Sequence, residues 1–430
     1  MLYFVDGWFA RDDMPMINSV QKKVLILALY AGEIMMKSGA EIYRVEDTVS
    51  RICKACQIDF VECFATTTGI FLSIDSGDQD SDMHTFIKRI RSSDIDLSRI
   101  SAVNKFSRIF TTTVVSVDEG FEQLQVIDAA PRYSTKLRLL GAFLVGAFFC
   151  PIFGGAIGDM VAAGGISCVT YMISHGLGRL GFPDFIRVLI SCIGAAGMVL
   201  AAASMGMSDS ISPVVVAATS IFLPGVAITN AARDLLSGDM VSGVARLAEV
   251  VVTAIAIAGG VGVGMQIWLL GGGSIVYGRT VGFESGWFWL FGACSTLGFG
   301  LLFNAPKRTL APVAAIGAIG MFLLDYITQE YNVIGACFFG ACAVAVLAEI
   351  ASRAGKDATT IFIIPGIIPF VPGAQLYETM SKMLVSNYSE AVSTGAQALI
   401  IAGCIAVALV AVDTFARLIF AIIYRIKTIT

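Results

Sequence analysis

The sequence predicts an α-helical polytopic membrane protein of about ten transmembrane helices, arranged as a 5+5 inverted repeat, with a small N-terminal α+β cytoplasmic domain. Three observations lead there. Of 430 residues, 56% are hydrophobic and only 14% charged, and the mean hydropathy of +0.78 is far above that of a soluble chain. Charge is dense over residues 1–138 and then retreats into short connections over 139–430. Helix-breaking Pro-Gly signals recur in the apolar region, in TSIFLPGVAITN (219–230) and TTIFIIPGIIPFVPG (359–373). These observations divide the chain into a cytoplasmic domain (1–133), a first five-helix module (134–272) and a second (273–430).

The opening MLYFVDGWFARDDMPM lacks the basic and apolar regions of a cleaved signal, which places the first domain in the cytoplasm. Residues 18–38 predict a helix whose apolar run, Val24 to Met36, contains Glu33 and is too short to span a bilayer. It is a core helix or an interfacial one. After Gly39, the residues Ile42, Val45, Val49, Ile52, Cys53 and Cys56 share one helical face, with Glu41, Arg44, Asp47, Arg51 and Lys54 toward the other. Short strands are expected near 58–64, 69–75 and 85–91, and helices over 96–110 and 118–130. Thr66, Thr67 and Thr68 suit a turn between strands or the lining of a path. Cys53 and Cys56 have redox-type spacing, but no thioredoxin-like unit surrounds them and no His or second Cys pair completes a metal site. The ten Cys mostly stand singly in apolar segments, as small hydrophobes do.

Beyond Pro131, segments of roughly the 20 residues needed to cross a bilayer fall at 137–155, 158–176, 185–206, 211–232, 244–270, 286–303, 309–326, 332–351, 360–378 and 392–424. Basic residues alternate accordingly. One set of connections holds Lys136, Arg138, Arg179, Arg187, Arg233, Arg246, Lys307, Arg308, Arg353, Lys356, Arg417, Arg425 and Lys427, whereas the other holds only Arg279 and Lys382. This predicts a multi-pass protein of the cell (inner or plasma) membrane with both termini cytoplasmic. Five spans per module is an odd number, so the second module enters from the opposite side.

Pro removes a backbone donor and Gly admits unusual dihedrals, so Pro224-Gly225, Pro365-Gly366, Pro369 and Pro372-Gly373 are expected to interrupt their helices. Broken helices at membrane depth are tolerated inside protein or beside a wet cavity, and a matched pair points to a substrate site. Thr229, Asn230, Asp234 and Tyr377 lie close behind these breaks and join the candidate path. A carboxylate in a span costs roughly 2.5–3.5 kcal/mol or more, so those present need a partner or a task. Glu249, Glu349 and Asp413 each have an Arg one turn away (Arg246, Arg353, Arg417), and Asp234 adjoins Arg233. Asp234, Glu249 and Asp413 are the candidates for proton coupling. Glu349 reads better as an interfacial ion pair.

A net charge of −4 without a basic face speaks against nucleic acid. No Gly-x-Ser-x-Gly elbow, His-Glu-x-x-His helix or P-loop occurs, and only two His are present, so neither an enzyme nor an ATP-driven pump is indicated. No cofactor or metal is expected.

The blocks GEIMMKSGAEIYRVEDTVSRICKACQI (32–58), FATTTGIFLSI (64–74) and IIPGIIPFVPGAQLY (363–377) resemble the threonine/serine exporter family, over nearly the whole chain. That resemblance implies export of threonine and serine by the proton-motive force, or of dicarboxylates such as succinate in split relatives. The implied partners are the small substrate, protons and the lipid bilayer, with a homo-oligomer left open. Glu41, Arg44 and Glu46 match the family's polar block and become either a gate at the cytoplasmic entrance or an internal salt-bridged face. The absence of Lys or Arg in mid-span favours a zwitterion over a dicarboxylate, and a passive channel is the remaining alternative.

Overall fold

Apolar helices need cover, and in this chain they find it in two separate compact units. The computed structural model describes residues 19–58, 60–74, 84–91, 93–274, 285–384 and 386–429. One unit is Met1–Asp94 with Ala102–Ala130, and the other is Ile95–Ser101 with Pro131–Thr430.

In the first unit, α1 (Ser19–Lys37) packs on α2 (Ile42–Ala55) and against a three-stranded antiparallel sheet in the order β1 (Val61–Thr66), β2 (Gly69–Ile74), β3 (His84–Arg89). Thr66 pairs with Gly69, so Thr67 and Thr68 form a two-residue hairpin turn rather than a path. Period-two alternation buries Ile70, Leu72 and Ile74 of β2, while the α1 run from Val24 to Met36 is almost wholly covered, making α1 a core helix. Its Glu33 is paired twice, with Lys37 at 2.8 Å and with Lys88 of β3 at 2.9 Å, as a carboxylate among apolar residues requires. The helices α3 (Leu97–Thr112), of which residues from Ala102 belong here, and α4 (Val117–Ala129) complete the unit. A capping box starts α4: Glu119 N–H donates to Ser116 Oγ (3.2 Å) and Ser116 N–H to Glu119 Oε2 (3.0 Å).

The second unit runs through α5 (Thr135–Phe149), α6 (Ile157–Arg179), α7 (Asp184–Ser204), α8 (Ile211–Thr219), α9 (Gly225–Ser237) and α10 (Met240–Leu270). It continues with α11 (Phe288–Leu302), α12 (Leu310–Glu330), α13 (Val333–Gly355), α14 (Thr360–Ile367), α15 (Gly373–Leu384) and α16 (Tyr388–Ile429). In the first set α5 packs on α6, α6 on α7, and both α7 and α9 on α10, with α8 held by α5, α6 and α7. In the second, α11 packs on α12, α12 on α13, and both α13 and α15 on α16, with α14 held by α11, α12 and α13. Across the sets α5 meets α11, α9 meets α16 and α15 meets α10, so exchanging the sets leaves the pattern unchanged. At the α5–α11 crossing, a Cβ added to Gly141 would lie 2.9 Å from the Gly298 carbonyl oxygen. One added to Gly298 would lie 2.8 Å from that of Gly141. Only glycine permits this backbone approach, the packing available to helices where lipid removes the hydrophobic drive.

Among the described residues, seven helices are long and apolar enough to cross a membrane: Thr135–Phe153, Ile157–Arg179, Asp184–Ser204, Met240–Leu270, Lys307–Glu330, Val333–Gly355 and Tyr388–Ala416. The pair Ile211–Phe222 and Gly225–Leu236, bent by 63°, makes eight if it is one broken span. The segments expected at 286–303 and 360–378 are instead shorter apolar helices, Phe288–Leu302 and Thr360–Phe370. At 1.5 Å per residue, the 15 residues of α11 reach about 22 Å, short of the roughly 30 Å hydrocarbon thickness.

Candidate functional site

The bend between α8 and α9 has a local cause. A 3₁₀ turn, Ser220–Phe222, follows α8, and Leu223 is then pushed to extended backbone (φ −58°, ψ 125°) because the residue before a proline avoids the helical region. Pro224 (φ −77°, ψ 46°) lies close to an inverse γ-turn, closed by Gly225 N–H donating to the Leu223 carbonyl at 2.7 Å. A new helix starts at Gly225.

The same device recurs between α14 and α15. The 3₁₀ turn Ile368–Phe370 ends at an extended Val371 (φ −65°, ψ 134°), and Gly373 N–H donates to the Val371 carbonyl at 2.7 Å. Even the bond entering each turn matches, Leu223 N–H to Ser220 O and Val371 N–H to Ile368 O, both at 3.1 Å. The structural equivalent of Pro224-Gly225 is therefore Pro372-Gly373. The Ile-Phe pair that precedes a Pro-Gly in both blocks points to Pro365-Gly366, seven residues too early, and the expected interruption there is absent. Pro365 and Gly366 lie inside α14, buried, and Gly366 faces Val344 of α13 and Ile316 of α12. The lost amide bond is tolerated because the helix is enclosed by protein on all sides. Pro369 occupies the first turn of the following 3₁₀ segment.

The two breaks meet. A Cβ added to Gly373 would stand 2.6 Å from Leu223 Cδ1, and one added to Gly225 would stand 3.4 Å from both Val371 Cγ2 and Ile368 Cγ1. Each extended residue thus lies over the glycine of the other break. Behind the first break much of α9 is buried, with Ile228 packed against Val250 and Ala402 and with Thr229, Asn230, Arg233 and Asp234 all enclosed. Thr229 Oγ1 donates to the Gly225 carbonyl at 2.8 Å. Asn230 is 2% exposed, and its Nδ2 has no hydrogen-bond acceptor among the described residues.

Asp234 is completely buried and accepts from Arg246 Nε of α10 at 3.0 Å. Neighbour relations in sequence pair Arg246 with Glu249, but the structure gives Arg246 to Asp234, because α9 packs on α10 and places the two twelve residues apart in contact. Glu249 is exposed on α10, and Asp413 is half-buried on α16. Glu349 and Arg353 form the expected ion pair at 3.1 Å. Tyr377 lies on α15, and its side chain falls outside what is described.

In the first unit Glu41, fully buried at the start of α2, pairs with Arg44 Nε at 3.3 Å. Glu46 faces the sheet instead, its Oε1 accepting Ala65 N–H at 2.7 Å. Burial pushes the Cys53 thiol up to about 12, helped by the neighbouring Cys63 and Cys56. Burial likewise raises Cys63 to about 12, with Glu46 adding to it, and also raises Cys56. Thiols held protonated this way are poor nucleophiles.

A family model of threonine/serine exporters matches residues 26–268, more than half of the chain, and a second threonine/serine exporter model matches residues 289–415. The chain belongs to the threonine/serine exporter family. It is a multi-pass membrane protein of a transporter family. The Mycobacterium tuberculosis protein named "Probable threonine/serine exporter" is 24% identical over 383 residues, 85% of this chain and 71% of its own. The Escherichia coli protein named "Probable succinate transporter subunit YjjP" is 24% identical over 258 residues, 59% of this chain and 97% of its own. A Debaryomyces hansenii protein named "Pheromone-regulated membrane protein 10" is 23% identical over 361 residues, 79% of this chain but 34% of its own. No solved structure matches the chain.

Proposed function

We propose that this member of the family is a secondary exporter of threonine and serine, driven by the proton-motive force, with its substrate site where the two Pro-Gly breaks cross. The observation that carries the reading is the reciprocal contact of Leu223 with Gly373 and of Val371 with Gly225. Two short helices, α9 and α15, begin at this crossing; the N–H groups of Gly225 and Gly373 close the turns, and those next in each first turn are the ones a helix start leaves without intrahelical partners, which suits a substrate carboxylate. Asn230 Nδ2 offers a further donor on α9.

The exchangeable packing pattern of α5–α10 and α11–α16 supports a 5+5 inverted repeat, with α8–α9 and α14–α15 as broken spans and α11 as a short span. The same pattern supports a division at about residue 272. Such repeats alternate access by moving one set against the other around a fixed site. Asp234 is the favoured proton-coupling group, since protonation would dissolve its buried pair with Arg246 and free α9 from α10. Glu249 is disfavoured by its exposure. The pairing of Glu41 with Arg44 supports a structural face in the first unit over an entrance gate.

Purified protein in vesicles loaded with labelled threonine, serine or succinate tests the reading. Release of threonine and serine that accelerates with an imposed proton gradient is the expected result. Release indifferent to collapse of that gradient refutes the coupling, and equilibration without uphill movement identifies a channel. Faster release of succinate would transfer the substrate to the dicarboxylate class named for the Escherichia coli relative.

A further inference from the structure

In the first unit, the outer face of the three-stranded sheet carries a row of side chains that a solvated face does not call for. An antiparallel sheet with one face on a core ordinarily turns polar residues outward. Here Phe64 of β1 pairs with Phe71 of β2, and Phe71 with Ile87 of β3. Three large apolar side chains therefore stand in one line across the sheet, on the face opposite buried Ile70, Leu72 and Ile74. The rings of Phe64 and Phe71 lie 6.1 Å apart, a cross-strand contact that supports the sheet. That contact still leaves Phe64 55%, Phe71 38% and Ile87 62% exposed. A contiguous apolar patch rimmed by polar residues marks an interaction surface.

The rim says what the surface fits. On one side of the apolar row, and on the same face, stand Glu62, Ser73 and Thr85, with Ser73 Oγ and Thr85 Oγ1 hydrogen-bonded at 2.7 Å. On the other side stand Thr66, Gly69 and Arg89. Glu62 and Arg89 thus occupy diagonally opposite corners on the two edge strands, both exposed and neither ion-paired among the described residues. One acid and one base cancel, so the face has no basic excess to suit an anionic membrane surface. A two-fold axis lying in the face, through Phe71 and along the diagonal from Thr66 to Thr85, exchanges the Glu62 corner with the Arg89 corner. The face is complementary to itself: the Glu62 of each copy meets the Arg89 of the other around an apolar centre. The strands of the two sheets then cross near a right angle, one of the two usual ways in which sheets pack.

We infer that the Phe64–Phe71–Ile87 face is an interface between two copies of this chain, centred on Phe71 and set in register by two reciprocal Glu62–Arg89 pairs. A fully buried aromatic side chain contributes about 150–250 Å², so the three side chains of each copy supply several hundred Å², less than the roughly 800 Å² per partner of a stable soluble dimer. The association is accordingly weak between free molecules. Copies held in one bilayer are confined to a plane, and this raises their effective concentration for each other.

The test uses the full chain carrying Arg89→Lys, reconstituted in vesicles and treated with a water-soluble carbodiimide, which activates a carboxylate and joins it to an amine as an amide. Glu62 and position 89 lie on opposite edge strands of one sheet, so a link between them forms only across two copies. A species of doubled mass, with its cross-linked peptide joining Glu62 to Lys at position 89, is the expected result. Adding Glu62→Gln should abolish that peptide, and adding Phe71→Ser should lower its yield about tenfold or more, as truncation of a central aromatic anchor does. Should the Phe71→Ser chain fail to fold, Ile87→Ser, at a more exposed position, replaces it with the same expectation. Absence of the doubled species overturns the inference and leaves the face to the bilayer or to another part of the chain. A doubled species joined through other residues, or a yield unchanged by Phe71→Ser or Ile87→Ser, overturns it as well. The readout is assembly, so it stands apart from any transport measurement.

Discussion

Gly373→Ala probes the crossing of the breaks most directly. The new methyl would stand 2.6 Å from Leu223 Cδ1 and 3.0 Å from its Cδ2. Carbon atoms rest at about 3.5–4.0 Å, so Leu223 must retreat by roughly 1 Å. Overpacking of this kind costs about 1–3 kcal/mol. If the clash exists in one of two alternating states, the balance between them shifts by roughly 5- to 150-fold, and the initial export rate falls accordingly. Gly225→Ala is the internal control, because its added carbon finds Val371 and Ile368 at 3.4 Å, and a loss of about twofold is expected. Leu223→Ala removes the obstructing methyls, so the double variant Leu223→Ala with Gly373→Ala should recover most of what Gly373→Ala loses. Rates are read in vesicles, normalised to monodisperse reconstituted protein. A double variant no faster than Gly373→Ala alone would mean that the two breaks do not touch in the working transporter.

Pro365→Ala restores an amide inside α14 and should export at close to the wild-type rate, whereas Pro372→Ala, at the true break, should lose most activity; the reverse ranking would return the break to Pro365. Arg246→Ala strands a buried carboxylate and should destabilise the protein by about 3–5 kcal/mol, while Asp234→Asn with Arg246→Met should recover most of that stability and abolish gradient dependence; thermal unfolding in detergent together with vesicle transport measures both. Cys53 should resist maleimide at pH 8 in the folded protein, as followed by mass spectrometry. Its folded value, about 12 against an ordinary 9.0, means that folding favours the protonated thiol. That stability contribution is complete below pH 9 and is lost as pH rises through about 12, so rapid labelling at pH 8 would refute its burial.

Local periodicity made much of the first unit legible. The apolar run of α1, the two-faced pattern of α2 and the short β-rich segments lie within a few residues of the observed elements, because each depends on neighbours close in sequence. The bend at Pro224 was legible for the same reason. Its partner was not, since two Pro-Gly pairs and a lone Pro crowd into residues 365–373, and composition cannot say which of them terminates a helix whose neighbours can shelter a missing bond. Among described residues, the role of Arg246 was likewise hidden. Glu249 is nearer in sequence, but α9 folds back on α10 and delivers Asp234.

By itself the sequence determined that most of this chain belongs in a membrane, that a separate charged unit precedes it, and which family holds it. Hydropathy, charge distribution and contiguous family blocks are properties of the chain read in order. Only the tertiary structure decided that Leu223 lies over Gly373 and that Asp234 belongs to Arg246. Both contacts are set by how helices cross, and a crossing joins residues that no sequence interval relates.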